Sequence, residues 1–320
     1  MTESLEKAPF SGKGIAPFLD RENPERAAAC MRAADLIANM GGSDRVFNAS
    51  PHLIEPLLAL LPFEPAAAHP LAALGEKLTY AHAYPEAQVC IDAVIDLEST
   101  EPFSQIDEPW GRDQPMTWPW QQALLWLWRG EGRLAAGDRA GGEAALAEGA
   151  RRAEASAMPE VFGLLGPGSP FKGTVADRRL WALVRGASAL RLRFEGKDAC
   201  AARKVKKPKK GAKPDPALLA LARAYVDDAL AVIGPRVAAQ YAGLEPKAEK
   251  HALELERHAW QRFAYFESGL LSEHVGDMAT ARLHLGRAKW ISALFNPGHR
   301  HDLRLLEVIE RLGIENVPLA

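Results

Sequence analysis

Residues 265–288 read YFESGLLSEHVGDMATARLHLGRA. Small residues fall at Gly269, Gly276, Ala281 and Ala288, and large apolar ones at Tyr265, Leu270 and Leu285. This spacing describes two antiparallel helices joined by a turn at Gly276-Asp277, with small side chains that let the helix axes come close. One such pair cannot bury its apolar face alone. The stretch therefore implies stacked neighbours and a helical scaffold.

The rest of the chain agrees. Its 320 residues can hold a large core, in one elongated domain or two globular ones. Alanine and leucine dominate, and Val-Ile-Thr runs of period two are nearly absent, so the expected class is all-α with strands unexpected. A net charge of −2 selects neither nucleic acid nor membrane as a partner. The opening MTESLEKAPFSGKGIAPF lacks the apolar core of a signal peptide. No apolar run approaches the roughly 18 residues of a membrane helix. Cys30, Cys90 and Cys200 are odd in number, far apart and without a CxxC pair, which suits reduced thiols in a cytoplasmic protein.

Local signals set the order of helices. Residues 1–22 read as an irregular lead-in, and 23–320 as a single helical domain. Asn23-Pro24-Glu25 caps a helix that runs to about Met40 and stops at Gly41-Gly42. Ser50-Pro51 opens a second, to about Leu61. Leu71, Leu74, Gly75 and Leu78 mark one helix of the next pair, and Ala87, Ile91 and Val94 the other, after a turn at Ala83–Pro85. A third pair carries Trp126, Gly130 and Arg133, then Gly137-Asp138, then Gly142, Leu146 and Gly149. A fourth starts with Leu180–Gly196 and resumes with Ala217–Ile233. The fifth is 265–288.

Three of these pairs resemble tetratricopeptide repeats, two-helix units of about 34 residues. The family favours an aromatic early in the first helix, a Leu-Gly pair one turn on, a tight turn, and small or apolar residues along the second helix. These positions fall on Tyr265, Ser268-Gly269, Gly276-Asp277, Ala281, Leu285 and Ala288. They fall likewise on Leu71, Leu74-Gly75, His82-Ala83, Ala87, Ile91 and Val94, and on Trp126, Arg129-Gly130, Gly137-Asp138, Gly142, Leu146 and Gly149. The spacing between units is irregular, and Ser268 and Arg129 replace the usual Leu. The resemblance implies antiparallel hairpins stacked as a TPR-like α-solenoid with long insertions at 99–119, 157–175 and 199–214. It also implies a concave face that holds a peptide. Carried over residue by residue, that face includes Glu76, Tyr80, Leu127, Glu131, Arg193, Phe194, Phe263, Phe266, Leu270, Glu273 and His274. The glutamates Glu76, Glu131 and Glu273 would repel a carboxylate, so the expected partner is an apolar protein or peptide with basic character.

The insertions offer further candidates. Residues 99–119 are rich in proline and aromatics, and Trp110, Trp118 and Trp120 with Trp128 could line a ligand pocket or simply fill a gap between repeats. Residues 163–174, GLLGPGSPFKGT, hold the glycines and lysine of a phosphate loop in the wrong order, with no strand leading in. Residues 203–213, RKVKKPKKGAK, concentrate Lys204, Lys206, Lys207, Lys209 and Lys210 with no acid. The remainder keeps 32 basic against 41 acidic residues. This basic loop could meet nucleic acid or an acidic partner, but lacks the aromatics of a single-strand binder.

No catalytic signature assembles: HExxH and GxSxG are both absent. His299-Arg300-His301-Asp302 is the one close histidine cluster, and a metal there would need a third ligand from elsewhere. The sequence thus predicts a non-enzymatic protein- or peptide-binding scaffold, cytoplasmic, with no cofactor, no metal and no membrane span. An inhibitor or immunity-type protein that occludes one partner competes with it, as does an enzyme with a Trp-lined pocket near 103–128.

Overall fold

A computed structural model describes residues 16, 19, 22–98, 118–155, 160–162, 172–204, 215–241, 259–295 and 303–318. Among them the chain forms eleven α-helices, two short 3-10 turns and one two-stranded ribbon. The chain forms two compact units, Met1–Pro159 with Asp198–Lys207, and Glu160–Lys197 with Pro208–Ala320.

The first unit holds α1 (Pro24–Asn39), α2 (Ser43–Leu60), α3 (Ala68–Tyr80), α4 (Tyr84–Glu98), α5 (Trp118–Ala136) and α6 (Arg139–Ala155). Consecutive helices pair as α1/α2, α3/α4 and α5/α6, and the pairs join where α3 meets α1 and α2 and where α4 meets α5. The second unit holds the ribbon of β1 (Glu160–Phe162) and β2 (Lys172–Thr174), then α7 (Val175–Phe194), α8 (Pro216–Tyr241), α9 (Arg262–His274), α10 (Met278–Phe295) and α11 (Leu303–Leu312). Here α7 pairs with α8 and α9 with α10, α9 packs on both α7 and α8, and α11 follows on α10.

The hairpin turns are built alike. In three of the pairs the first helix ends on a left-handed residue: His82 at φ 60°, Gly137 at φ 92° and Gly276 at φ 79°. The amide of the following residue reaches back to a carbonyl five positions earlier, Ala83 N to Leu78 O, Asp138 N to Arg133 O and Asp277 N to Ser272 O, each at 2.9 Å. This is the Schellman closure that satisfies orphan carbonyls at a helix end. The next residue caps the second helix. Asp138 Oδ1 accepts from Gly141 N at 2.9 Å and Asp277 Oδ1 from Thr280 N at 3.1 Å. A Gly-Asp pair thus stops one helix and starts another within two residues.

Packing repeats as well. A Cβ on Gly75 would meet Ile91 at 2.9 Å, on Gly130 would meet Leu146 at 2.6 Å, and on Gly269 would meet Leu285 at 2.6 Å. In all three hairpins glycine and apolar residue lie sixteen positions apart in sequence, at 75 and 91, 130 and 146, 269 and 285. Both sides of the α5/α6 contact are stripped bare: Gly142 faces Leu134, and Gly149 faces Leu127.

Several boundaries differ from expectation. The second helix starts at Ser43 rather than at Ser50-Pro51, and carries Pro51 and Pro56 inside it. Pro51 has no N–H for the carbonyl of Phe47, and the Ser50 hydroxyl donates to that oxygen instead at 2.8 Å. The fourth pair starts at Val175, five residues early, because Thr174 and Asp177 form a reciprocal capping box. Its second helix runs through Gly234-Pro235 to Tyr241, since Val237 and Tyr241 extend the buried stripe of Ile233. The insertion at 157–175 contains strands: Glu160 pairs with Thr174, Val161 with Gly173 and Phe162 with Lys172, antiparallel. Three residues per strand are too few to show a period of two. Lys172 therefore sits in a strand and not in a phosphate-binding loop. At the other insertion, Trp118 and Pro119 already belong to the first turn of α5, where proline is tolerated.

Substituting Gly130→Ala forces Leu146 aside and brings a methyl to 3.0 Å from the Gly142 carbonyl oxygen. We expect a loss of about 1–3 kcal/mol by denaturant unfolding, even after the gain in helix propensity. At Gly276, where a Cβ has open space, Gly276→Ala costs only the backbone strain of about 1–2 kcal/mol.

Candidate functional site

The site is built from the end of α7, one face of α9 and one stripe of α11, all in the second unit. On α7, Arg191 and Glu195 stand one turn apart and share an ion pair. Arg191 also clamps Glu267 of α9, through a short Nε contact and an Nη2–Oε2 contact of 3.2 Å. Their side chains are only 7% and 5% exposed. Burial works against the Arg191 charge, but Glu267 and Glu195 outweigh it and raise its pKa above the ordinary value. Glu195 receives Lys197 Nζ at 2.7 Å and lies 2.8 Å from His274 Nε2. Burial pushes its pKa up, while Lys197, Arg191 and His274 pull harder and leave it at about 2. The His274 ring stands edge-on to Phe194, with centroids 5.5 Å apart. Two contacts in register, Arg191 to Glu267 and Glu195 to His274, thus lock α7 alongside α9.

Beyond this lock lies an open groove of about 860 Å³. Phe194, Phe266, Leu270 and Val308 supply apolar surface, Lys197, Glu273, Arg304, Glu307 and Arg311 supply charge, and His274 adds an imidazole. Arg311 of α11 grips Glu273 of α9 with both guanidinium arms, Nη2 to Oε2 at 2.8 Å and a shorter Nη1 contact. The hydrogen bond from Arg311 holds the Glu273 pKa below the usual carboxylate value. The size falls within the range of ordinary ligand and peptide pockets.

The structure brings together Phe266, Leu270, Glu273 and His274 from the sequence-predicted face, with Phe194 beside them. It separates others. Arg193 is exposed and does not line the groove, whereas Arg191, Phe194 and Glu195 do. Phe263 is half-buried against Trp181, 5.5 Å between centroids, with the Arg262 guanidinium 4.3 Å from its ring. In the first unit Leu127 and Glu131 are fully buried. Leu127 fills the space over Gly149, and Glu131 accepts from Tyr84 OH at 3.2 Å. Glu76 and Tyr80 are half-buried, and Tyr80 stands edge-on to Trp128 at 6.5 Å. Trp128 is itself 4% exposed and packs in the core. Trp110 and the side chains of Trp118 and Trp120 lie outside the described residues, as do Lys206, Lys207, Lys209, Lys210 and the 299–302 histidine cluster; Lys204 is exposed.

Sequence reading missed Arg191, Glu195, Glu267, Arg304 and Arg311. Arg191 and Glu195 carry a readable signal, an ion pair spaced by four on a helix. Glu267 carries a subtler one, a lone acid within an apolar helix face.

No group of three or more His, Cys, Asp or Glu among the described residues is placed to hold a metal, and no described helix is long and apolar enough to cross a membrane. All three cysteines are free and buried. Compared with models of known families, with curated proteins and with solved structures, the chain matches none.

Two outcomes test this geometry. Replacing one member of the buried pair, as Arg191→Met, strands Glu267 and should destabilise the protein by about 3–5 kcal/mol, much of it recovered in Arg191→Met/Glu267→Leu. Glu195 stabilises the fold while ionised. That contribution is present above its ordinary pKa of 4.5 and is lost as pH falls toward about 2. Guanidinium unfolding at stepped pH should show this loss in wild type and a shallower one in Glu195→Gln.

Proposed function

We propose that the protein is a non-enzymatic binding scaffold of TPR-like hairpins, and that the α7/α9/α11 groove takes a segment of a partner protein. One observation carries this reading. Four of the five residues that the repeat resemblance assigns to a partner in the last unit, Phe266, Leu270, Glu273 and His274, share one open groove, while the fifth, Phe263, packs against Trp181. The recurring contact between glycine and an apolar residue sixteen positions on supports the repeat part of it.

The chemistry of the walls favours binding over catalysis. Glu195, Glu267 and Glu273 are each engaged by an arginine. Such pairs hold walls in place. The partners of Glu195 and Glu273 hold those two carboxyl pKa values below the ordinary value, away from the neutral range in which a general acid or base works. A lining that combines apolar side chains with charged ones suits the division between affinity and specificity in peptide and protein interfaces.

Peptides selected against the full-length protein from a random display library should depend on this face. Phe266→Ser, with its fold checked by circular dichroism, should weaken the selected peptides by about tenfold or more, the effect of losing one central apolar anchor. Unchanged affinity would locate the site elsewhere.

A further inference from the structure

In the ion pairs that line the groove's open side, the acid is the covered member and the cation faces outward. The Lys197 side chain is 66% exposed where it meets Glu195, which is 13% exposed. The Arg311 side chain is 50% exposed where it meets Glu273, which is 24% exposed. Both Glu273 oxygens already accept from Arg311, and Glu195 is met by Arg191, Lys197 and His274. Arg304 goes further. It lines the groove, is exposed and has no hydrogen bond or ion pair among the described residues, so its fork of N–H donors is unused. Glu307 is the exposed carboxylate of the lining, three residues after Arg304 and four before Arg311. The hydrogen bond from Glu273 and, more weakly, the charge of Glu307 raise the Arg311 pKa, so Glu307 already has a cation of its own chain beside it. An occupant thus meets N–H donors alongside the apolar side chains.

We infer that the groove takes an acidic segment of a partner protein, which sets an Asp or Glu side chain against Arg304 and an apolar side chain against Phe266 and Leu270. The inference rests on the groove reading above and adds the sign of the partner's charge. The sequence points to a basic partner through Glu76, Glu131 and Glu273. Of these only Glu273 lines this groove, and its cation is Arg311. A carboxylate suits Arg304 because its two oxygens match the planar guanidinium fork. Arg311 and Lys197 keep further donors for a second acid. A basic segment would find Glu307 as its one exposed carboxylate among the described lining residues, with an arginine on either side.

The test selects peptides against the full-length protein from a random library displayed without free C-termini. Asp or Glu should be enriched beside an apolar residue. Synthetic copies, fluorescein-labelled and amidated at the C-terminus, are then titrated by fluorescence anisotropy. Arg304→Gln should weaken them about three- to tenfold, the effect of losing one charge-assisted contact near water, with Arg304→Lys losing less. Changing the peptide's acid to its amide should cost wild type the same factor and cost Arg304→Gln nothing further. Arg304 has no partner in the fold to lose, so thermal unfolding of Arg304→Gln should match wild type. Selected peptides rich in Lys and Arg, peptides without an enriched acid, no selected peptides, or acidic peptides indifferent to Arg304→Gln would each overturn the inference. Phe266→Ser judges the groove separately. If it leaves Arg304-dependent binding intact, the charge assignment stands and the groove reading falls. If it abolishes binding that ignores Arg304, the groove stands and the acidic partner falls.

Discussion

The structure depends on how closely two helices of a hairpin can approach. At Gly75, Gly130 and Gly269 no Cβ intervenes, and Ile91, Leu146 and Leu285 press against bare backbone. Close packing of this kind tolerates little change in volume, so it fixes one rotation and one slide of each helix on its mate. Once Gly269 faces α10, Phe266, Leu270 and Glu273 fall together on the flanking face of α9, about 40–100° round the helix from it. The groove is what remains after the small residues have chosen their side.

The charged lock between α7 and α9 acts at a second level. Taking Arg191 and Glu267 out of water costs more than an apolar contact of the same size would, and the return comes only with good geometry. What such a pair contributes is register. Apolar surfaces can slide by a few ångströms at little cost, whereas a two-armed guanidinium contact accepts one alignment. His274 and Phe194 fall into place on the same alignment, and Glu195 joins the two ends of it. The groove wall is therefore set by groups that are themselves held, while Arg304 and Arg311 stay near water.

Much of the fold was legible where a residue type has one physical use. Asn23-Pro24 gave the first helix start, and its Oδ1 accepts from Arg26 N at 3.3 Å. Gly137-Asp138 and Gly276-Asp277 gave the turns, because only such pairs close one helix and cap the next so briefly. Prolines misled where a neighbour compensated, as Ser50 does for Pro51. Thr174-x-x-Asp177 was readable as a capping box, yet the polar residues after it hid the helix. The site was half legible. Phe266, Leu270, Glu273 and His274 came from the tetratricopeptide resemblance carried onto the last unit, which also pointed to Phe263. Leu127 and Glu131 occupy the same repeat positions in the third pair but are buried there, because exposure depends on which neighbour covers a face. Arg311 could not be placed at all from a register, since its partner Glu273 lies 38 positions away.

The central claim is that a partner segment lies on the face formed by Phe266, Leu270 and Val308. Methyl-labelled NMR of the full-length protein, titrated with a peptide selected against it, tests this most directly. The account predicts that the methyl resonances of Leu270 and Val308 move first and furthest, while those of Leu146 and Leu127 in the first unit stay still. Shifts confined to the first unit, with Leu270 and Val308 unchanged at saturation, would contradict it.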